Sequence, residues 1–346
     1  MEKHISAKRR LEHLKEKIRE IEKQNDLENH LVSEIEEVRY KVPEKFGIEP
    51  YTYTQSKILP FEVIKIVSGA YDYKTYIVKE YEDGLFSTKS ERNYKTEKII
   101  YPIIQSEGIF ADLAYFEDPF LRLYLKGLML KPLNKLFTGA KNEEKLNALS
   151  TLFEPLKKCF NLSEERIQKI KTSLANENIQ FKKLEGDYYE RKFADYLKFF
   201  EHHLYPEIFE RIKSKKNKII DSLTEPSLYR PGLIDLYPRH CLGNKFIDAE
   251  GLSECSMGLS FGCSLGNASI YNHLPDKNRD FSMLLDTFLN GFDKSIDSSK
   301  LREASYSGAI FGNLRQTFVP GFAYNEYHFN LIKENLRAVE SQLEFI

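Results

Sequence analysis

Leu11, Leu14, Ile18 and Ile21 follow one another at intervals of three, four and three residues. That heptad spacing narrows the possibilities for the opening of the chain more than any other feature, because it places four large apolar side chains on one seam of a single helix. Continuing the register puts Asn25 and Glu28 on the seam, followed by Val32 and Ile35. Residues between Lys8 and Lys23 surround the stripe with charges of both signs, as suits a solvated helix face. Pro43 disfavours helical geometry in the residue before it, so the pattern predicts a helical arm over residues 1–42. A helix of three to four heptads is marginal in isolation. The expectation is therefore that residues 11–35 dock, on a protein partner or on a second copy of the chain.

Composition changes after this arm. Residues 44–140 are rich in Tyr, Ile, Val and Thr, and Phe61–Val67, Tyr71–Tyr81 and Lys98–Ile104 read as strands of a small antiparallel sheet. A hairpin turn is expected at Glu82-Asp83-Gly84. Residues 109–137 read as apolar helix. Residues 142–225 carry apolar positions at helical spacing, with Ser163 as an N-cap candidate before Glu164 and Glu165 and a break at Pro206. Residues 226–346 hold ten of the 17 glycines and end in a helix from about Tyr324 to Leu343. The expected fold class is α+β, mainly α-helical, in that order of four regions.

Whole-chain charge selects no partner: Lys+Arg number 51 and Asp+Glu 52. The four cysteines, Cys159, Cys241, Cys255 and Cys263, form no C-x-x-C pair, which predicts reduced thiols and a cytoplasmic protein. The N-terminus is charged from residue 2 and no run approaches 18 apolar residues, so neither a secretory signal nor a membrane span is expected.

Several constellations could carry chemistry. Ser253–Ser269 contains two overlapping G-x-S-x-G matches, centred on Ser260 and Ser264. In hydrolases that pattern exposes a nucleophilic serine on a strained turn. His240 and His273 are candidate bases, and Cys241 beside His240 is a candidate thiolate. His203 and Glu207 are four residues apart on a predicted helix, a spacing that puts an imidazole and a carboxylate on one face and could hold a metal. Arg211, Lys213, Lys215, Lys216 and Lys218 form a basic cluster that could contact nucleic-acid phosphates. Asp72-x-Lys74, ten residues after Glu62, matches the acid and acid-x-Lys pattern of metal-dependent nucleases. No P-loop, G-x-G-x-x-G, H-E-x-x-H, zinc-finger or EF-hand spacing occurs, and no cofactor is indicated.

The leading expectation is an interaction protein that acts in an assembly through its N-terminal coiled coil. One alternative is a hydrolase with a Ser or Cys nucleophile in residues 235–275. The other is a nucleic-acid-binding protein or metal-dependent nuclease.

Overall fold

The computed structural model describes residues 32–38, 57–67, 70–81, 87–118, 121–127, 142–201, 206–234, 236–242, 244–290, 292, 295–317 and 326–346. Five strands and one helix form the first half. Strands β1 (Val32–Val38), β2 (Lys57–Val67) and β3 (Ala70–Glu80) precede helix α1 (Ser87–Ile104). Strands β4 (Asp112–Glu117) and β5 (Arg122–Gly127) follow it. The sheet is antiparallel with order β1-β2-β3-β5-β4. The register of the long β2–β3 pair runs from Lys57 opposite Glu80 to Val67 opposite Ala70.

The last two positions of the expected helical seam are strand. Val32 and Ile35 lie in β1, opposite Lys65 and Val63 of β2. Both are β-branched, and cross-strand packing on a sheet suits them better than a helix does. The seam from Leu11 to Glu28 lies outside the described residues, as does the turn expected at Glu82-Asp83-Gly84.

Two local readings are also reversed. Lys98–Ile104 is the last part of α1, because Tyr94, Glu97, Ile100, Tyr101 and Ile104 are buried at the spacing of one helix face. In the segment expected to be helical, Leu123 and Leu125 are both buried two residues apart, which is the period of a strand.

The second half is mostly helical. It comprises α2 (Asn142–Ser150), α3 (Phe153–Phe160), α4 (Glu164–Asn176), α5 (Gly186–Glu201) and α6 (Pro206–Leu223). After β6 (Tyr229–Leu233) comes a short hairpin, β7 (Cys241–Leu242) and β8 (Lys245–Phe246), then β9 (Leu252–Ser256), which pairs with β6. The chain ends in α7 (Met257–Leu265), α8 (Ala268–Tyr271), α9 (Lys277–Leu289), α10 (Ser298–Thr317) and α11 (Glu326–Gln342). Ser163 caps α4 by accepting the Arg166 N–H at 3.3 Å. The chain is thus an α+β protein, mainly helical, with a small antiparallel sheet in its first half and two two-stranded antiparallel pairs in its second. Among the described residues no helix is long and apolar enough to cross a membrane.

The Gly/Ser-rich run explains how the helical half closes. Helix α7 lies directly against α10, and a Cβ at Gly262 would stand 2.3 Å from both the Ala309 nitrogen and the Ser305 oxygen. A Cβ at Gly308 would stand 2.3 Å from the Gly258 oxygen. Only glycine lets these two backbones come so close. The small residues that resemble a nucleophile elbow are therefore the contact surface between two buried helices.

Candidate active site

The charged groups that the core cannot leave unpaired meet where the two halves join. Lys79, the penultimate residue of β3, and Glu97, on the inner face of α1, are 1% and 0% exposed. Lys79 Nζ donates to Glu97 Oε1 at 2.7 Å and to Asp248 Oδ1 at 2.7 Å. Glu97 Oε1 also accepts the backbone N–H of Ala249 at 2.7 Å and of Glu250 at 3.3 Å. The Tyr81 hydroxyl donates to the other oxygen, Glu97 Oε2. One carboxylate on α1 thereby ties the strand lysine to the backbone just after Asp248.

Asp248 owes its position to the β7–β8 hairpin. Phe246 is stitched to the segment after α1: its N–H donates to the Ile109 oxygen at 3.0 Å, and its oxygen accepts from the Ala111 N–H at 2.8 Å. The Phe246 ring packs edge-on against Phe110. A short hairpin brings the residues flanking its two ends together, and here those residues are His240 and Asp248. His240 Nδ1 lies 3.2 Å from Asp248 Oδ2, and the Ile247 N–H donates to the His240 oxygen at 3.1 Å. The His240 ring stands edge-on to Tyr237, with centroids 5.8 Å apart. Asn93 of α1 donates to Glu250 Oε1 at 3.0 Å, which adds a further link between the helix and this loop.

The electrostatics favour a cation. Burial opposes the Lys79 ammonium, but Asp248, Glu97 and Glu250 outweigh it, so its pKa is raised and it stays protonated. Burial pushes the Glu97 carboxyl up, against the pull of Lys79. Burial raises the Tyr81 hydroxyl well above its ordinary range, and Glu97 adds to the effect, so Tyr81 remains a donor. Among the described residues, the Lys79 ammonium thus faces the carboxylates of Glu97, Asp248 and Glu250.

Of the residues singled out from sequence, His240 enters this constellation. Ser260 is fully buried in α7; its hydroxyl donates to the Leu233 oxygen at 3.0 Å and accepts from the Leu233 N–H at 2.9 Å. Ser264, also fully buried, donates to the Ser260 and Phe261 oxygens. Cys241 is buried, with its thiol directed at the Tyr237 oxygen and its pKa raised by burial. His273 is exposed in the turn after α8. Glu207 is exposed in the first turn of α6, and His203 lies outside the described residues. The basic cluster is met from within the molecule. Arg211 pairs with Glu344, Lys213 with Glu210, Lys216 with Glu190 and Lys218 with Glu303, while Lys215 donates to the Leu343 and Ile346 oxygens. Asp72 and Lys74 lie in β3, opposite Lys65 and Val63.

Three members of this constellation were missed in the sequence: Lys79, Glu97 and Asp248. A trace of them is present in the sequence. Asp235 and His240 are five residues apart, and Ile247-Asp248 follows eight residues later. Kinase catalytic segments carry H-R-D-x-x-x-x-N followed by D-F-G. This chain shares with that pattern an aspartate, Asp235, and a later one, Asp248, but its Leu233-Ile234, His240 and Ala249-Glu250 differ from His-Arg, Asn and Phe-Gly.

No family model matches the sequence, and no curated protein does. Solved structures do match. An ethanolamine kinase of Plasmodium vivax superposes with a TM-score of 0.53 at 12% identity, over 94% of each chain. The GDP complex of aminoglycoside 2'-phosphotransferase-IIIa gives 0.56 at 9% identity, over 95% of this chain and 98% of that one. A choline/ethanolamine kinase family protein from Mesorhizobium loti gives 0.51 at 9% identity, over 82% and 85%. The chain has the fold of these kinases and phosphotransferases. That finding overturns the expectations drawn from sequence: an interaction protein acting through a coiled coil, a hydrolase with a Ser or Cys nucleophile, and a nucleic-acid-binding protein or nuclease. The G-x-S-x-G run misled because the need for close helix packing and the need for a nucleophile elbow select the same small residues.

Proposed function

We propose that this chain transfers the γ-phosphoryl group of a nucleoside triphosphate to a hydroxyl of a small molecule. The observation that carries the reading is the buried Lys79–Glu97 ion pair with Asp248 on the other side of the same ammonium. Phosphoryl transfer in this fold is catalysed mainly by positioning and by charge stabilisation, and it uses a β3 lysine held by a helix glutamate together with a metal-holding aspartate. Lys79 would engage the nucleotide phosphates, and Glu97 would hold it in place. Asp235 lies outside the described residues; by its place in the sequence, 13 residues before Asp248, it would serve as the base that orients the acceptor hydroxyl. The acceptor oxygen bonds to the γ-phosphorus as the bond to the β-phosphate oxygen breaks. The hydroxyl proton passes to Asp235, and the products are a phosphomonoester and a nucleoside diphosphate.

The donor set at the junction fits a divalent metal, because a carboxylate oxygen of Asp248 and an imidazole nitrogen of His240 converge there. When bound, such an ion neutralises charge on the β- and γ-phosphates. Among the described residues no group of three or more His, Cys, Asp or Glu side chains forms a self-contained cage. A magnesium ion held by one or two carboxylates and the substrate phosphates needs none. Substrate class follows by analogy of fold: the similar structures are an ethanolamine kinase, an aminoglycoside phosphotransferase and a choline/ethanolamine kinase family protein, names that point to small-molecule acceptors.

The test is turnover. Phosphorus NMR of ATP and of GTP with magnesium or manganese, over a panel of amino alcohols and aminoglycosides, should show a phosphomonoester with the wild-type chain. Asp248→Asn and Asp235→Asn should each reduce it by about a thousandfold or more, the scale of losing a principal transition-state contact. Activity that survives both substitutions, or none with any nucleotide, would refute the reading.

A further inference from the structure

We infer that His240 makes the metal site of this chain a mixed nitrogen–oxygen site and shifts its preference from magnesium toward manganese and cobalt. The inference rests on the phosphoryl-transfer reading above. In kinases the residue five positions after the catalytic aspartate is an asparagine, which offers an amide oxygen to a second magnesium ion. In this chain that position, counted from Asp235, is His240. The substitution changes the donor atom and not merely the side-chain size.

The geometry suits shared ligation. Two ligands about 2.1 Å from an octahedral ion and adjacent on it are about 3.0 Å apart. His240 Nδ1 and Asp248 Oδ2 are 3.2 Å apart, while Lys79 takes the other carboxylate oxygen at 2.7 Å. The backbone of His240 is held on both sides. The His240 N–H donates to the Tyr237 oxygen at 2.8 Å, its oxygen accepts from Ile247, and its ring rests against Tyr237. The His240 side chain is 12% exposed and that of Asp248 14%, so both sit at the margin of the buried junction.

Chemistry supplies the preference. Magnesium favours oxygen donors and gives up its water reluctantly, whereas imidazole favours the later divalent ions of the first transition row. Replacing an amide oxygen by imidazole nitrogen weakens the claim of magnesium and strengthens that of manganese and, still more, cobalt.

The full chain loaded with manganese and the methylene-bridged analogue of ATP or GTP, which has no nitrogen between its phosphates, provides the test. Pulsed electron-spin-echo spectra should carry imidazole nitrogen modulation that changes when the histidines are labelled with nitrogen-15, a readout that needs no substitution. In His240→Asn that modulation should vanish, and the ratio of manganese to magnesium affinity, measured by titration in the presence of the analogue, should fall about tenfold or more. Nucleotide-dependent manganese binding without imidazole modulation in the wild type, or an unchanged ratio in His240→Asn, overturns the inference and leaves the phosphoryl-transfer reading standing. No nucleotide-dependent metal binding at all overturns both.

Discussion

The Lys79–Glu97 pair allows a prediction whose sign is more informative than its size. Lys79→Met removes the ammonium that bridges Glu97 and Asp248, which leaves two carboxylates without that shared partner in a buried site. Breaking a buried pair in this way costs about 3–5 kcal/mol. Glu97→Gln should cost less, about 1–2 kcal/mol, because the amide oxygen can still accept from Lys79, Ala249 and Glu250 and the lysine keeps Asp248. In the double substitution the glutamine has no charge to leave stranded. The combined loss should therefore fall short of the sum of the singles by about 2 kcal/mol, and the double variant should be more stable than Lys79→Met alone. With an unfolding entropy of about 2.1 cal/mol/K per residue, 1 kcal/mol corresponds to roughly 1.4 °C in a chain of this length. Lys79→Met should melt about 4–7 °C below wild type, and the added Glu97→Gln should restore part of that. Circular-dichroism melts and urea titrations of the four proteins supply the measurement. Losses that add within about 0.5 kcal/mol would refute the claim that the pair acts as one buried ionic unit.

Other outcomes follow from the packing and from the buried thiols. Ser260→Ala should cost about 1–3 kcal/mol in a urea titration, because it orphans the Leu233 N–H, and native wild-type protein should not react with a fluorophosphonate at Ser260. Gly262→Ala should lower the melting temperature by about 4 °C or more, since the added carbon meets backbone 2.3 Å away; Gly186→Ala, with nothing within 4 Å at the start of α5, should leave it level or slightly higher. Burial raises the Cys255 thiol from 9.0 to about 11, against hydrogen bonds from Ser260 and Ser253, and burial raises Cys159 and Cys241 as well. A raised folded pKa means that the stability is fully present below the unfolded value and is lost as pH rises through the folded one. Urea midpoints should accordingly fall between about pH 9 and pH 11, and Cys255→Ala should flatten that fall by about 1.4 kcal/mol per pH unit.

Much of the architecture was legible because it depends on local pattern. The β-branched and aromatic run through Tyr71–Val78 paired as a strand, Ser163 capped its helix, and Pro206 separated two helices. Where a segment is apolar in both periods, tertiary burial decided. Ile100, Tyr101 and Ile104 were drawn onto one helix face despite their strand propensity, and Leu123 and Leu125 onto one sheet face. The site was largely illegible because its members are far apart and individually ordinary. Lys79 and Glu97 are 18 residues apart, and Lys79 and Asp248 are 169. The short segment that marks the fold was disguised at the positions where Leu233, His240 and Ala249-Glu250 stand. His240 was noticed as a possible base beside a cysteine. Its place in the constellation depends on a hairpin that brings it to Asp248, and nothing in the sequence spacing alone indicates that closure.

Calorimetric titration of ATP and of GTP, with magnesium and with manganese, into the full chain and into Asp248→Asn tests the central claim most directly. The account expects saturable, metal-dependent binding to the wild type by at least one nucleotide and its loss in Asp248→Asn. A parallel melt at a hundredfold excess over Kd should rise by roughly 4 °C, which corresponds to about 2.7 kcal/mol of ligand stabilisation. No heat of binding and no rise in melting temperature with either nucleotide at millimolar concentration, or equal binding to Asp248→Asn, would contradict the account.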